Sequence, residues 1–342
     1  MEKGKRPTIK DVSKAAGVSV ATVSRFLNSS GYVDDSTKEL IRRAVEETNY
    51  RVNKSAKLLK TQRSNQIMLM VPDIGNPYYA EMFKTMQKLA AQRDYSVLLF
   101  DSNADVKGEL AGLLLMEDLG ADGLIYCSIE NNREVVKRLL ALQRPVVVSQ
   151  SYEEQRFDTL HSIGGRGVYL AARHLIELGH TKIAYVGGPE NSTINQRRKA
   201  GLMKALEEDG LSLPGDFCFE MDFTMDAGYK AGMYISSLAS LPTAICAAND
   251  IIAMGVMQAL QERGLRVPAD ISLTGEDNIG FARISRPGLT TINNSGSEFS
   301  IRATELLFSR ISGEYDGPPR DVICPRELIV RESTRAIGKE RV

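Results

Sequence analysis

The chain has little of what metal, redox and membrane chemistry require. Its 342 residues include four cysteines and three histidines. Cys127, Cys218, Cys246 and Cys324 stand far apart in apolar or strand-like surroundings, with no CxxC pair among them. Such spacing speaks against a disulfide framework and against a zinc motif, and leaves scattered buried thiols. No HExxH and no Ser/His/Asp arrangement is present. Gly164-Gly165-Arg166-Gly167 lacks the third glycine of a GxGxxG loop and, on this reading, the strand that should precede it. Gly187-Gly188-Pro189 puts proline where a phosphate-binding helix needs an amide. An enzyme is therefore not expected, and neither a cofactor nor a metal. No apolar run reaches the roughly 18 residues of a membrane span, and Met1-Glu2-Lys3-Gly4-Lys5-Arg6-Pro7 lacks the apolar stretch of a signal peptide. These absences point to a cytoplasmic protein with no membrane partner.

What is present is a strong charge asymmetry. The whole chain holds 43 basic and 43 acidic residues, but residues 1–63 hold 14 and 7, a net of +7, so the remainder holds 29 and 36, a net of −7. Phosphate contacts need clustered cations, so such asymmetry is what a nucleic-acid-binding head joined to a small-molecule-sensing body would show. The length divides naturally into a small head and a larger body of one or two domains.

Three short helical patterns fit the head. Thr8 can cap a helix from Ile9 to about Ala16, Gly17-Val18 turns the chain, and Ser19 caps a second helix through Leu27. Val33-Asp34-Asp35 then starts a third, whose apolar positions Leu40, Ile41, Ala44 and Val45 recur at helical spacing. Two such helices joined by a tight glycine turn make a helix-turn-helix, whose second helix enters the major groove. Placing Val23 and Leu27 inward against Val12 and Ala15 turns Val20, Ala21 and Arg25 outward as base contacts. Arg25 can fork onto a guanine. Ser19, Thr22, Ser24, Asn28 and Thr37 are short hydroxyl or amide side chains suited to phosphate oxygens.

From Gln66 the pattern alternates between apolar strand and amphipathic helix. Strands are expected at 67–71, 96–100, 123–127 and 145–149, and again at 182–186, 218–221, 244–247 and 272–274, with helices between them. Near-continuous apolar strands separated by helices imply parallel sheets covered on both faces. Two successive runs imply two similar subdomains with a cleft between them, a common place for a small ligand.

The head sequence from Thr8 to Asn28, the hinge-like Tyr50-Arg51-Val52-Asn53 and Ala56-Lys57-Leu58-Leu59, and body segments such as Val71-Pro72-Asp73, Ala248-Asn249-Asp250 and Arg331-Glu332-Ser333 resemble the lactose repressor/galactose repressor (LacI/GalR) family of bacterial transcription regulators. The resemblance implies a small all-α helix-turn-helix head (residues 1–52), a hinge helix and linker (53–64), and an α/β body (65–338) of two Rossmann-like parallel-sheet subdomains shared with periplasmic binding proteins. The first subdomain would take about 65–163 and 294–323, the second about 164–293 and 324–338. It also implies a homodimer on near-palindromic operator DNA of the bacterial nucleoid. The hinge would fold on entering the minor groove, with Asn53, Ala56, Lys57 and Leu59 as its contacts and Leu59 as the apolar wedge. Val52 stands where relatives often carry proline.

For the body, the resemblance carries over Asn76, Tyr78, Tyr79, Arg198, Asn249 and Asp277 as effector contacts. Phe223 or Tyr79 would cover an apolar sugar face, and Gln150 is a further candidate. An arginine facing a carboxylate grips neighbouring hydroxyls, so the implied effector is a sugar or sugar phosphate controlling carbohydrate-utilisation genes. Two departures stand out: Ile163-Gly164 replaces a usual Asp-Asn, and Glu276 replaces an aromatic. A carboxylate at Glu276 either faces solvent or helps bind something with extra donors. The alternative within this reading is control by a non-sugar corepressor or a phosphorylated carrier protein. The carboxyl end lacks leucine heptads, which favours a dimer over a tetramer.

Overall fold

Short polar side chains set the starts of the helices in the amino-terminal unit. The computed structural model describes residues 7–28, 31–50, 63–149, 156–294 and 296–337, except the side chain of Asn28, and the chain divides into two units, Met1–Ser64 and Asn65–Val342. Helix α1 (Ile9–Ala16) begins where the Asp11 carboxylate accepts from both the Thr8 amide (2.7 Å) and the Thr8 hydroxyl (2.8 Å). It ends at Gly17, whose φ of +66° is a conformation that suits glycine. Helix α2 (Val20–Asn28) starts after Ser19, whose Oγ accepts from the Thr22 amide at 3.1 Å. Helix α3 (Asp35–Thr48) is capped by the Asp34 carboxylate, which accepts from the Thr37 amide at 2.9 Å.

Val12, Ala16, Val23, Val33, Ile41 and Ala44 form the core of this unit, with Phe26, Leu27 and Val45 packed against it. Two expectations are corrected here. Ala15 is exposed and Ala16 is the inward alanine, because the step of four from Val12 keeps it on one stripe of the helix. Leu40 is 50% exposed, and the inward face of α3 runs through Ile41, Ala44 and Val45.

The body starts with β1 (Gln66–Val71), α4 (Pro77–Ala91), β2 (Ser96–Asp101), α5 (Val106–Leu119), β3 (Leu124–Tyr126), α6 (Arg133–Ala141), β4 (Val146–Val148) and β5 (Asp158–His161). A second run follows: α7 (Arg166–Glu177), β6 (Ile183–Gly187), α8 (Thr193–Glu207), β7 (Cys218–Glu220), α9 (Met225–Ile235), β8 (Ala244–Ala247), α10 (Asp250–Glu262), β9 (Ser272–Glu276), α11 (Gly280–Ile284) and β10 (Thr290–Asn293). The chain then crosses back through α12 (Gly296–Ser312) and β11 (Asp321–Ile323) and returns to β12 (Glu327–Ile329).

One sheet has the order β11-β5-β4-β3-β1-β2, and the other β12-β10-β9-β8-β6-β7. All pairings are parallel except β12, which runs antiparallel to β10. Parallel strands covered on both faces must be apolar along their length, and Ile67 to Val71 of β1 are all buried. Phe299, Ala303 and Leu307 of α12 pack with Ile67, Leu69, Met82 and Met86, which ties a late helix to the first sheet.

Strand β5 does precede the glycine cluster at 164–167, contrary to the sequence expectation. It was hidden because two of its residues, Asp158 and Thr159, are buried polar groups. Asp158 is nearly inaccessible and accepts from Arg310 (2.7 and 3.1 Å) and Arg320 (2.5 and 3.2 Å), besides the Arg320 amide at 2.9 Å. Burial alone would raise this carboxyl, but the hydrogen bonds from the two guanidinium groups outweigh it and hold it below the usual carboxylate range.

Candidate functional site

In the head, α2 presents one face for contact. Val20 is 39% exposed and Ala21 and Arg25 are exposed, while Val23 on the opposite side is fully buried. The aliphatic stem of Arg25 lies close to Gly31, near enough that a Cβ there would touch its Cδ at 3.4 Å, while the residue as a whole stays exposed. The Ser19 and Thr22 hydroxyls are 2.8 Å apart at the start of α2, and Ser24 is half-buried. Thr37 sits in the first turn of α3, with its amide bound to Asp34. The side chain of Asn28 and the hinge candidates Asn53, Ala56, Lys57 and Leu59 lie outside the described residues.

In the body, a cavity of about 660 Å³ opens at the carboxyl ends of the strands of both sheets. Ligand sites in open α/β sheets occupy this position because the loops there diverge. Asn76, Tyr78, Tyr79, Arg198, Phe223, Asn249 and Asp277 all line it, although they come from segments spread from position 76 to position 277. Gln150 lies outside the described residues.

Helix starts position several of these side chains. Asn76 Oδ1 accepts from the Tyr78 amide (3.0 Å) and caps α4, and Asn249 Oδ1 accepts from the Ile252 amide (2.9 Å) and caps α10. Tyr78 and Tyr79 meet edge to face at 5.2 Å, and burial pushes both phenols well above their ordinary range. Arg198 on α8 lies over the Phe223 ring at 5.7 Å.

The floor of the cavity is ionic. Arg198 Nη2 lies 3.5 Å from Glu276 Oε1 and 3.7 Å from Asp277 Oδ1, and Arg326 Nε lies 3.6 Å from the same Glu276 oxygen. Burial pulls Arg198 down, but Glu276 and Asp277 together oppose it more strongly and hold it above its ordinary range. Burial pushes Asp277 up to about 6, with Arg198 acting against it. Asn294 Nδ2 donates to Asp277 Oδ1 at 3.2 Å. Beneath this layer Asp250 accepts from the Thr291 hydroxyl (2.5 Å) and the Ile279 amide (2.9 Å), and burial together with the nearby Asp277 charge raises it well above the ordinary range. Asp277 holds φ at +113°, a strained value for a residue with a side chain.

Glu276 does not face solvent. It is 4% exposed, and a Cβ on Gly167 would overlap its carboxylate, so glycine at the start of α7 is what makes room for it. Arg326 was missed in the sequence because it stands 128 positions from Arg198 with no motif around it; only the return of the chain through β11 and β12 brings it here. At the cavity mouth, Asn191 Nδ2 donates to Glu130 Oε1 (2.5 Å) and the Ser192 hydroxyl donates to the Ile129 carbonyl (2.9 Å), linking the loops of the two sheets.

Comparison with known proteins places this architecture. Residues 8–53 match the model for bacterial regulatory proteins of the lacI family, and residues 172–334 match a periplasmic binding protein-like domain. The chain is 33% identical over 338 residues to the HTH-type transcriptional regulator DegA of Bacillus subtilis (strain 168), covering 97% of this chain and 99% of that protein. It superposes on the lac repressor dimer bound to operator and the anti-inducer ONPF with a TM-score of 0.86 at 26% identity, covering 97% of this chain and 100% of that one. It also superposes on a transcriptional regulator CelR–cellobiose complex with a TM-score of 0.72 at 26% identity, covering 96% and 100%. These relatives are regulators rather than enzymes. With a helix-turn-helix head and a two-sheet body matched along nearly its whole length, the chain belongs to the lacI family of bacterial regulatory proteins and is a DNA-binding transcriptional regulator.

Proposed function

We propose that the protein acts in the cytoplasm as a homodimeric repressor of carbohydrate-utilisation genes, with operator affinity set by a sugar or sugar phosphate bound between the two sheets of the body. The observation that carries this reading is the convergence of Arg198, Asp277, Phe223 and the two tyrosines on one cavity of about 660 Å³. A guanidinium and a carboxylate side by side bind neighbouring hydroxyls, and an aromatic ring covers the apolar face of a pyranose. The matched CelR structure contains cellobiose.

In this reading Arg25 forks onto a base edge with Val20 and Ala21 beside it, and Ser19, Thr22, Ser24, Asn28 and Thr37 hold the phosphates. Asn53, Ala56, Lys57 and Leu59 form the hinge that orders on the minor groove. Ligand bound to both halves of the body favours one relative arrangement of the sheets, and operator affinity changes by the difference in ligand affinity between the two arrangements. Gel shifts with DNA from upstream of the gene, with and without members of a sugar panel, test the proposal. Selective binding without ligand and release by one sugar supports it. A selective complex that no sugar or sugar phosphate alters refutes the effector assignment.

A further inference from the structure

The four charged side chains on the cavity floor form ion pairs but almost no hydrogen bonds. Arg198, Glu276, Asp277 and Arg326 approach one another at 3.5 to 3.7 Å, and Glu276 Oε2 and Arg326 Nε have no hydrogen-bond partner among the described residues. Both side chains are at least nine-tenths buried, at 5% and 10% exposure. Charges taken out of water are tolerated when hydrogen bonds replace the lost hydration. Unspent donors beside unspent acceptors therefore mark a place where a ligand completes the network.

The chemistry of that ligand follows from two features. A hydroxyl both donates and accepts, so one hydroxyl satisfies a carboxylate and a neighbouring guanidinium together, which neither a phosphate nor an ammonium group does. The cavity wall also carries five carboxylates (Asp73, Glu130, Asp222, Glu276, Asp277) against three arginines (Arg197, Arg198, Arg326), a net of −2. An added anion would meet uncompensated negative charge in a site of reduced dielectric.

Resting on the carbohydrate reading above, we infer that Glu276 and Arg326 are specificity-determining residues that grip a hydroxyl pair, and that the effector is an uncharged polyol rather than a sugar phosphate or a sugar acid. The volume of about 660 Å³ accommodates more than one ring. Arg326 enters from the last crossing between the sheets, so the same contact joins the ligand to the segment that links them.

Calorimetric titration of the full-length protein tests this, using glucose, galactose, lactose, cellobiose and trehalose beside glucose 6-phosphate and glucuronate. The expected result is that a neutral sugar binds and its charged counterparts do not. Glu276→Gln and Arg326→Gln should each weaken that binding about tenfold to hundredfold, the loss of a hydrogen bond to a charged group. Because a single substitution strands one buried charge, the double variant E276Q/R326Q, which removes both, is measured in parallel with thermal unfolding of each protein. A phosphorylated or acidic sugar binding more tightly than the neutral one overturns the inference while leaving a carbohydrate effector standing. So does unchanged affinity in a folded double variant. No binding by any member of the panel counts against the carbohydrate reading itself.

Discussion

Asp277 gives the sharpest quantitative handle on the cleft, because the proposed effector contact needs its charge and burial makes that charge costly to keep. Burial pushes it up to about 6, against the attraction of Arg198 and Arg326 and the hydrogen bond from Asn294, while Glu276 adds to the rise. In the proposed site a ligand hydroxyl would donate to the ionised carboxylate, so affinity should fall as pH drops through about 6. From pH 7.5 to pH 5 the ionised fraction declines from nearly all to about a tenth, which weakens binding about tenfold, or about 1.4 kcal/mol. Stability without ligand moves the other way. A carboxyl raised from 3.8 to about 6 in the folded state costs on the order of 3 kcal/mol at neutral pH, a cost that fades as pH falls from about 6 to about 4. Titration calorimetry with the responsive sugar at five pH values, on the wild type and on Asp277→Asn, reads this directly. The variant should bind weakly and show no step near pH 6. A flat wild-type profile, or an identical step in the variant, refutes the role given to this side chain.

Other consequences are separable from the cleft. Arg25→Ala should cut the preference for operator over scrambled DNA by about 1 to 3 kcal/mol in competition gel shifts, and an unchanged ratio removes Arg25 from the groove. Lys57→Ala should weaken binding to every sequence and lower the slope of log affinity against log salt by about 1, as expected of a hinge cation held close to the phosphates. Asp158→Ala leaves Arg310 and Arg320 without their buried partner and should cost about 3 to 5 kcal/mol in denaturant unfolding. Since the folded-state pKa of Asp158 is lowered, its contribution is present above about pH 4 and is lost as pH falls further, so the wild type should lose this increment in acid and the variant should not.

Much of the architecture was readable in the chain because apolar strand runs and helix periodicity carry local information. The strands from 67 to 149 and from 182 to 274 were located that way, as were the three helices of the head. Strand β5 was not, because Asp158 and Thr159 break its apolar text and are satisfied by residues about 160 positions away. The elements beyond Glu276 were missed for a related reason: they belong to two sheets in turn, so no single periodic run describes them. At the site, residues inside recognisable segments such as Asn76, Arg198, Asn249 and Asp277 could be named as candidates from the sequence, and the structure places them around one cavity. Arg326 carries no local pattern, and only the crossing topology brings its guanidinium to Glu276. Alanine at 15 versus 16 shows the finer limit, since helix periodicity fixes a stripe but leaves its edge uncertain by one residue.

The central claim is that occupancy of the cleft controls the grip of the head on DNA. The most direct measurement is the affinity of the purified protein for its own upstream fragment, by fluorescence anisotropy at fixed salt, with and without a saturating concentration of the sugar that binds the cleft. The account predicts tight, sequence-selective binding that changes at least about tenfold with the sugar, within the usual coupling range of about 1 to 3 kcal/mol. Equal affinities with the cleft empty and full would contradict it.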